Sequence, residues 1–226
     1  MMKKMQLTVL LLLAAVLPGV AQNTAQQNTK DGEMRTVAVL IFEGVELLDV
    51  AGPAEVFIIA KEGKAFRVIT VAASTAPIKT MGGVTITPDY DYQSCPEADI
   101  LVLPGGDMRN VGDDGIAWIR SASHDAEILL SVCMGAFLLA RADLLDGVRA
   151  TTHSWGLERL KTAAPGCTVV EGVRFVDNGK IITTAGVTAG IDGALHIVAR
   201  LLGAEAARWA ADEWMEYDRP NVQKSE

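Results

Sequence analysis

Short apolar runs alternate with longer mixed segments along most of the chain, a pattern typical of strands that alternate with helices. Buried strands are predicted at 36–42, 66–71, 99–103 and 127–132, and hairpins at 78–86 and at 169–184 around Asp177, Asn178 and Gly179. Helices are predicted at 53–61, 113–124, 134–145, 189–202 and 204–217. Continuous apolar strands between helices indicate an α/β fold, with a mostly parallel sheet that carries helices on both faces.

The first 34 residues follow a different pattern. Lys3 and Lys4 precede an apolar run at 7–16, and small or helix-breaking residues follow up to Ala21. This order predicts a secretory signal peptide, hence export to the periplasm or the medium, with an uncleaved anchor as the alternative. The apolar run is shorter than the roughly 20 residues that span a membrane, so no membrane association is expected after cleavage. The predicted organisation is a signal peptide at 1–21, a flexible leader at 22–34 and one folded domain at 35–226.

Charge and cysteine content narrow the possible partners and cofactors. The net charge of −8 disfavours nucleic acid, because phosphate binding needs clustered basic residues. The three cysteines, Cys95, Cys133 and Cys167, leave at least one thiol unpaired, and a disulfide between Cys95 and Cys167 stays open. No two cysteines or histidines have the spacing of zinc ligands, so neither a metal nor another cofactor is expected.

Cys133 stands between a predicted buried strand and a predicted helix. The small residues Gly135 and Ala136 allow the helix to pack close to the sheet, as at the tight turns that project a nucleophile. A helix N-terminus also favours a thiolate, because its backbone N–H groups and dipole stabilise negative charge. The alternative is a buried structural cysteine.

Two further strand ends carry residues that could serve the same thiol, because ligands of parallel sheets bind at the carboxyl ends of the strands. Gly105 and Gly106 follow Pro104, and their backbone N–H groups could stabilise an oxyanion, although the triplet could also be a plain turn. Asp49 follows the first strand and could move a proton near Cys133, or could cap a helix instead.

Five segments, in this order, resemble the ThiJ/PfpI superfamily, which belongs to the class I glutamine-amidotransferase-like folds. The segments are Leu48–Pro53, Leu103–Gly106, Ser131–Ala136, Ala150–His153 and Thr188–Asp192. The pattern is most similar to the isonitrile-hydratase-like branch, which also supplies ligand domains of AraC-type regulators. The resemblance implies a flavodoxin-like three-layer sandwich, a homodimer, a nucleophilic Cys133, an acid at Asp49 and an oxyanion site formed by the N–H groups of Gly105, Gly106 and Met134.

The chain departs from that family pattern directly after the cysteine. The hydratase-like branch usually has Thr at this position, and the protease- and glyoxalase-like branches have His, but here it is Met134. A protease with a Cys-His pair is therefore not expected. Gly186 and Val187 are expected to line the site, and His153 is a possible base or a structural histidine at a helix entry.

Two functions remain open at this level. The first is a cysteine-dependent hydratase or hydrolase that acts on a small electrophile such as an isocyanide. The second is a module that binds a small molecule, or senses oxidants through its thiol, without turnover. Direct control of transcription is not expected, because no DNA-binding helical segment follows the domain in this sequence.

Overall fold

The computed structural model describes residues 34–217, which form an α/β domain around a seven-stranded sheet. The strands are β1 (Arg35–Leu40), β2 (Phe66–Ala72), β3 (Ile78–Lys79), β4 (Thr85–Ile86), β5 (Tyr90–Asp91), β6 (Ile100–Leu103), β7 (Ile128–Ser131), β8 (Arg149–Ala150), β9 (Thr168–Val169), β10 (Phe175–Asp177) and β11 (Ile181–Thr184). The helices are α1 (Leu47–Gly63), α2 (Asp113–Asp125), α3 (Ala136–Arg141), α4 (Leu157–Ala163), α5 (Ala189–Leu202) and α6 (Ala204–Arg208), and α6 continues as a π-helical turn at Trp209–Trp214.

The main sheet has the order β10-β11-β7-β6-β1-β2-β5. Its neighbouring strands are parallel except for the antiparallel pair of β10 and β11. Strands β6 and β7 are buried along their whole length, which explains why both appear as uninterrupted apolar runs in the sequence. Two small separate sheets pair β3 with β4 and β8 with β9.

Helices cover both faces of the sheet. The step from β1 to β2 and the step from β6 to β7 run in opposite directions across the strand order. Because such crossovers are almost always right-handed, α1 and α2 must lie on opposite faces. In agreement, α1 packs with α5 and α6, whereas α3 packs with α2 and α4. The expected flavodoxin-like three-layer fold is confirmed.

The reversal of direction falls between β1 and β6, and the carboxyl ends of such strands form the usual binding crevice of doubly wound sheets. The strand register brings three segments together there. Leu103 pairs with Ser131, and Thr183 pairs with the same serine on its other side. Gly105, Cys133 and Ala185, each two residues further along the chain, therefore meet at one level of this edge.

The first helix begins earlier than predicted. Helix α1 starts at Leu47 and contains Pro53, whereas the sequence predicted that Pro53 would occupy the first turn. The proline lacks an N–H for the carbonyl four residues back, yet packing compensates for this loss. Gly52 lies against α5, where a Cβ would approach Ile191 Cγ1 to 3.0 Å. As a result, Asp49 lies inside the first helical turn rather than in a preceding loop.

Two other predicted elements are shorter than expected. The helix predicted at 134–145 is a 3-10 turn at Cys133–Gly135 followed by α3, which ends before Asp143, a residue in left-handed backbone conformation (φ 60°). The strand predicted at 169–175 is divided between β9, which pairs with β8, and β10. The hairpin of β10 and β11 is confirmed, with Gly179 at φ 82° in its turn.

The predicted signal peptide at 1–21 lies outside the described residues, as does the predicted leader at 22–34 except for Met34. Within residues 34–217, none of the helices combines the length and the apolar character that a bilayer crossing requires.

Candidate active site

Cys133 lies at a sharp turn between β7 and the 3-10 turn that precedes α3. Its backbone is in the left-handed region (φ 56°), which is uncommon for a residue with a side chain and is frequent at functional sites. Gly135 makes the turn possible, because a Cβ there would lie 1.9 Å from the carbonyl oxygen of Leu103. The expected nucleophile elbow is therefore present in the geometry of the backbone.

Hydrogen bonds fix the elbow on both sides of the cysteine. The Cys133 N–H donates to the Ala185 carbonyl (3.0 Å), as the strand register requires. The hydroxyl of Thr152, a fully buried residue, donates to the Cys133 carbonyl (2.6 Å). The backbone N–H groups of Met134 and Val187 both lower the pKa of the thiol. The strained cysteine is thus held by the Thr152 hydroxyl and by the Ala185 carbonyl.

Asp49 provides a buried carboxyl group beside this sulfur. It is fully buried, and its Oδ2 accepts the Gly105 N–H (2.9 Å) rather than an N–H of its own helix, so it does not cap α1. Within residues 34–217, its Oδ1 has no conventional hydrogen-bond partner. The Cys133 thiol, a weak donor, contacts the carboxyl group and is the proton source available to it.

Burial and mutual repulsion set the proton affinities of this pair. Burial raises the pKa of Asp49 to about 6, against the lowering effect of the Gly105 N–H, and the nearby Glu46 charge raises it further. Burial raises the pKa of Cys133 to about 12, and the Asp49 charge adds to this increase. The N–H groups of Met134 and Val187 lower the pKa of Cys133, as expected at a helix N-terminus, but burial and the Asp49 charge raise it by more.

Gly105 and Gly106 play different structural roles after β6. A Cβ at Gly105 would lie 2.8 Å from the Met134 nitrogen and 3.1 Å from Cys133 Cβ, so only glycine lets the strand end approach the elbow. Because its N–H is bonded to Asp49, Gly105 orients the acid and is not a free oxyanion donor. Gly106 is at φ 135°, and its N–H donates to none of the described residues.

The segment after β11 completes the surroundings of the sulfur. Val187 is a β-branched residue at φ 42°, which makes it a strong backbone outlier, and its N–H contacts the thiol. Gly186 lies against the ring of His153, where a Cβ would lie 2.3 Å from Cδ2. The structure therefore brings Gly186, Val187 and His153 to the same edge as Cys133.

Comparison with known proteins matches this arrangement to one family. The model of the DJ-1/PfpI family matches residues 35–200. This chain belongs to the DJ-1/PfpI family. The suspected ThiJ/PfpI resemblance is thereby confirmed.

Individual relatives place the chain near the branch that the sequence motifs indicated. It is 32% identical to isonitrile hydratase of Pseudomonas putida over 177 residues, which cover 76% of this chain and 74% of the relative. It is 26% identical to the HTH-type transcriptional regulator GbdR of Pseudomonas aeruginosa, covering 82% of this chain and 51% of the regulator. A crystal structure of a ThiJ/PfpI family protein from Pseudomonas syringae superposes with a TM-score of 0.76, at 28% identity, over 92% of this chain and 85% of that one.

In this DJ-1/PfpI protein, the Met134 side chain turns away from the thiol. Its sulfur packs beside Gly156, where a Cβ would approach Met134 Sδ to 2.9 Å and the ring of Phe137 to 3.1 Å. Met134 therefore contributes its backbone N–H to the sulfur of Cys133, and its side chain fills space under the 3-10 turn at Ser154–Gly156.

The imidazole of His153 has one nitrogen already engaged. Its Nδ1 accepts the Trp155 N–H (3.2 Å), so the neutral ring carries its proton on Nε2. The ring edge that faces Gly186 is then a donor edge. This geometry favours a structural or donor role over the role of a base.

Other chemical possibilities are limited among the described residues. Cys95, Cys133 and Cys167 are all free thiols, so the disulfide that the sequence left open is not formed. Residues 34–217 contain no group of three or more His, Cys, Asp or Glu side chains that could hold a metal ion.

Two residues near the thiol carried no clear sequence signal. Thr152 belongs to one of the family segments, but only the fold shows that its hydroxyl binds the cysteine carbonyl. Arg174 lies in a polar stretch where arginine is normally solvated, yet its guanidinium donates to the buried carboxyl of Asp192 (Nε to Oδ2, 2.7 Å).

Proposed function

We propose that this protein is a cysteine-dependent hydratase or hydrolase of a small electrophile, and that isocyanides are its favoured substrate class. The observation that carries the proposal is the buried Asp49 carboxyl group beside the Cys133 thiol, with no conventional partner for Oδ1 among the described residues. The 32% identity to an isonitrile hydratase supports the choice of substrate.

An isocyanide suits a protonated thiol with an adjacent carboxylate. The terminal carbon of an isocyanide accepts both a nucleophile and a proton, so the S–H bond adds across a single atom. The sulfur of Cys133 forms the S–C bond, Asp49 takes the thiol proton and passes it to the same carbon, and the product is a thioimidate. The carboxyl group is regenerated, which fits a group whose pKa is raised to about 6.

Water completes the reaction in the same site. Its hydroxyl adds to the thioimidate carbon and its proton goes to the nitrogen. The C–S bond then breaks, the hydroxyl proton returns to the sulfur, and an N-substituted formamide leaves. The N–H groups of Met134 and Val187 stabilise the charge on sulfur as it develops and as it departs. Gly106, with its unused N–H, is the glycine suited to bind an oxyanion during collapse.

The geometry gives less support to oxidant sensing. Oxidation by peroxide proceeds through the thiolate, whereas the pKa of Cys133 is raised to about 12, so the resting thiol is protonated. We expect mild peroxide to leave Cys133 unmodified in peptide mass spectrometry. Rapid and selective conversion of Cys133 to a sulfenic or sulfinic acid would favour sensing over turnover.

A panel of alkyl and aryl isocyanides tests the enzymatic proposal. Formation of the matching N-substituted formamide is measured by chromatography, with Cys133→Ser and Cys95→Ser as paired variants. We expect formamide from the wild-type protein and from Cys95→Ser, and none above background from Cys133→Ser. If the wild type releases no formamide while α-oxoaldehydes or amides are consumed, the substrate class is wrong. If nothing is consumed, a binding function without turnover replaces the enzyme.

The cellular setting is part of the proposal. We propose that the protein is exported through its N-terminal segment and acts as a homodimer on a small molecule, without nucleic acid or membrane partners. The basic and apolar order of residues 1–21 supports export, and the resemblance of the sequence motifs to the ThiJ/PfpI superfamily implies the dimer. Fractionation of cells that express the full chain, followed by sedimentation of the purified protein, tests both statements.

A further inference from the structure

The segment Ala185–Thr188 touches the thiol yet adopts a costly backbone conformation. Val187 is at φ 42°, a region that β-branched residues avoid, and such a conformation persists only when surrounding contacts over-determine it. The same segment nevertheless holds the cysteine, because the Ala185 carbonyl accepts the Cys133 N–H. Some neighbouring group must therefore hold this segment in place.

The Arg174 side chain contacts both Thr188, at the end of this segment, and Asp192, in helix α5. Its Nε and Nη2 donate to Oδ2 of Asp192, with the Nε contact at 2.7 Å, and Nη2 also donates to Thr188 Oγ1 at 3.1 Å. Thr188 directly follows the strained valine. The guanidinium thus ties the residue after Val187 to a carboxyl group in the first turn of α5.

The backbone of Arg174 fixes the start of the same segment. Its carbonyl accepts the Ala185 N–H (2.8 Å), and the Ala185 carbonyl in turn accepts the Cys133 N–H (3.0 Å). Asp192 is fully buried, so the ion pair is anchored in the core, whereas the Arg174 side chain is 35% exposed. One residue therefore holds both ends of the segment that bonds the Cys133 backbone.

We propose that Arg174 is a positioning residue for the thiol, holding Ala185–Thr188 so that the Ala185 carbonyl stays bonded to the Cys133 N–H and keeps the elbow in place. The inference rests on the proposed role of Cys133 as nucleophile. Its test reads the thiol directly, so a failure to find isocyanide turnover would leave it standing. Arginine is suited to the task because its planar fork can bind a carboxylate and a hydroxyl together, which lysine cannot do.

The experiment measures alkylation of Cys133 by iodoacetamide in the full chain, at several pH values between about 8 and 10, where a thiol of raised pKa reacts through its small thiolate fraction. Peptide mass spectrometry follows Cys133, with Cys95 and Cys167 in the same sample as internal references. We expect Arg174→Met to slow Cys133 alkylation about tenfold at each pH, the size expected for loss of one hydrogen bond to a charged group. The rates of Cys95 and Cys167 should not change.

Three further variants separate positioning from charge and from general damage. Thr188→Val keeps the ion pair and should slow alkylation about threefold, a fraction of the effect of losing a charged hydrogen bond. Arg174→Lys keeps the positive charge and should fall between wild type and Arg174→Met. Arg200→Met removes the ion pair of another α5 side chain, with Asp177, and should leave Cys133 unchanged.

Several results would overturn the proposal. A folded Arg174→Met protein whose Cys133 alkylates at the wild-type rate at every pH contradicts it. So does an Arg174→Lys protein that matches wild type, because charge alone would then account for the effect. If Arg174→Met fails to fold because the buried Asp192 carboxylate loses its guanidinium, Arg174→Met/Asp192→Asn removes both charges and carries the same expectation. Wild-type alkylation in that folded double variant would equally refute it.

Discussion

Two thiols in this protein lie in very different surroundings. Cys95 borders an open cavity of about 200 Å³ between the segment before β6 and helix α2, where Tyr92 stacks on Trp118 at 5.4 Å. Its sulfur donates to the carbonyl of the next residue, Pro96, at 3.4 Å, and burial raises its pKa with no acidic group involved. Cys133 is almost sealed, yet it contacts a carboxyl group and two backbone N–H groups.

The two thiols differ in their backbone conformation as well as in their neighbours. Cys95 has space but an ordinary backbone, whereas Cys133 and Val187 both occupy strained conformations directly at the site. Strain of this kind is retained where the surroundings enforce it, and functional sites are where that happens most often. The comparison predicts that removing the Cys133 thiol will abolish activity, whereas removing the Cys95 thiol will leave activity almost unchanged.

The largest expected effect comes from Cys133→Ser. We expect kcat/KM for isocyanide hydration to fall at least a thousandfold, because the nucleophile of the first step, which is also the leaving group of the second, is lost. The matched variant Cys95→Ser should keep kcat/KM within about twofold, since surface changes away from a site rarely matter. Formamide release under identical conditions measures both. Comparable losses in the two variants would mean that the elbow is not the reacting site.

A second prediction concerns Asp49→Asn and separates two properties of the same thiol. Turnover should fall about a hundredfold or more, because the amide cannot take the thiol proton. Alkylation of Cys133 should become faster at fixed pH, because the neutral amide no longer raises the thiol pKa through its charge. Slower turnover together with faster alkylation is the result expected if Asp49 carries the proton. A parallel loss of turnover and alkylation would instead indicate a collapsed site.

The third prediction uses two glycines. Gly105→Ala should lower the free energy of unfolding by about 3 kcal/mol, because the new Cβ meets backbone at 2.8 Å and the Asp49 carboxyl at 2.9 Å. Gly82→Ala, in the β3–β4 hairpin, has no atom within 4 Å of its Cβ and serves as the control. Urea unfolding measures both variants. Equal stability of the two would show that the β6 end does not press on the elbow.

The smallest expected effect is a pH dependence of stability. The pKa of Asp49 is about 6 in the folded protein and about 3.8 as a free side chain, so the folded state binds more protons between these values. Stability should therefore decrease as pH rises from about 4 to 7, by about 2 kcal/mol from this group. Asp49→Asn should remove that part of the slope. Urea unfolding at pH 4, 5.5 and 7 measures the slope, and an unchanged slope would contradict the raised pKa.

Much of the fold could be predicted from the sequence because the signals are local. The buried parallel strands appear as apolar runs, and the elbow appears as Cys133 followed by Gly135. The start of α1 could not be predicted, since Pro53 usually marks a first turn, and here close packing of Gly52 on α5 overrides that rule.

The parts of the site that were missed depend on long-range pairing. Arg174 and Asp192 are separated by both strands of the β10–β11 hairpin and by the start of α5, and nothing in the sequence around either one indicates the ion pair. The raised pKa of Cys133 could not be predicted for a related reason. A helix N-terminus can be read locally, but the burial of Cys133 and the position of Asp49 follow only from the packed structure.

The three residues of the 3-10 turn Cys133–Gly135 differ in how far their side chains can be changed. Gly135 must remain glycine because a Cβ there would collide with the carbonyl of Leu103. Cys133 must remain cysteine because its thiol is the proposed nucleophile. The residue between them gives the sulfur only its backbone N–H and sends its side chain under the neighbouring turn beside Gly156. Position 134 can therefore change its side chain without disturbing the backbone N–H beside the thiol or the turn that carries it.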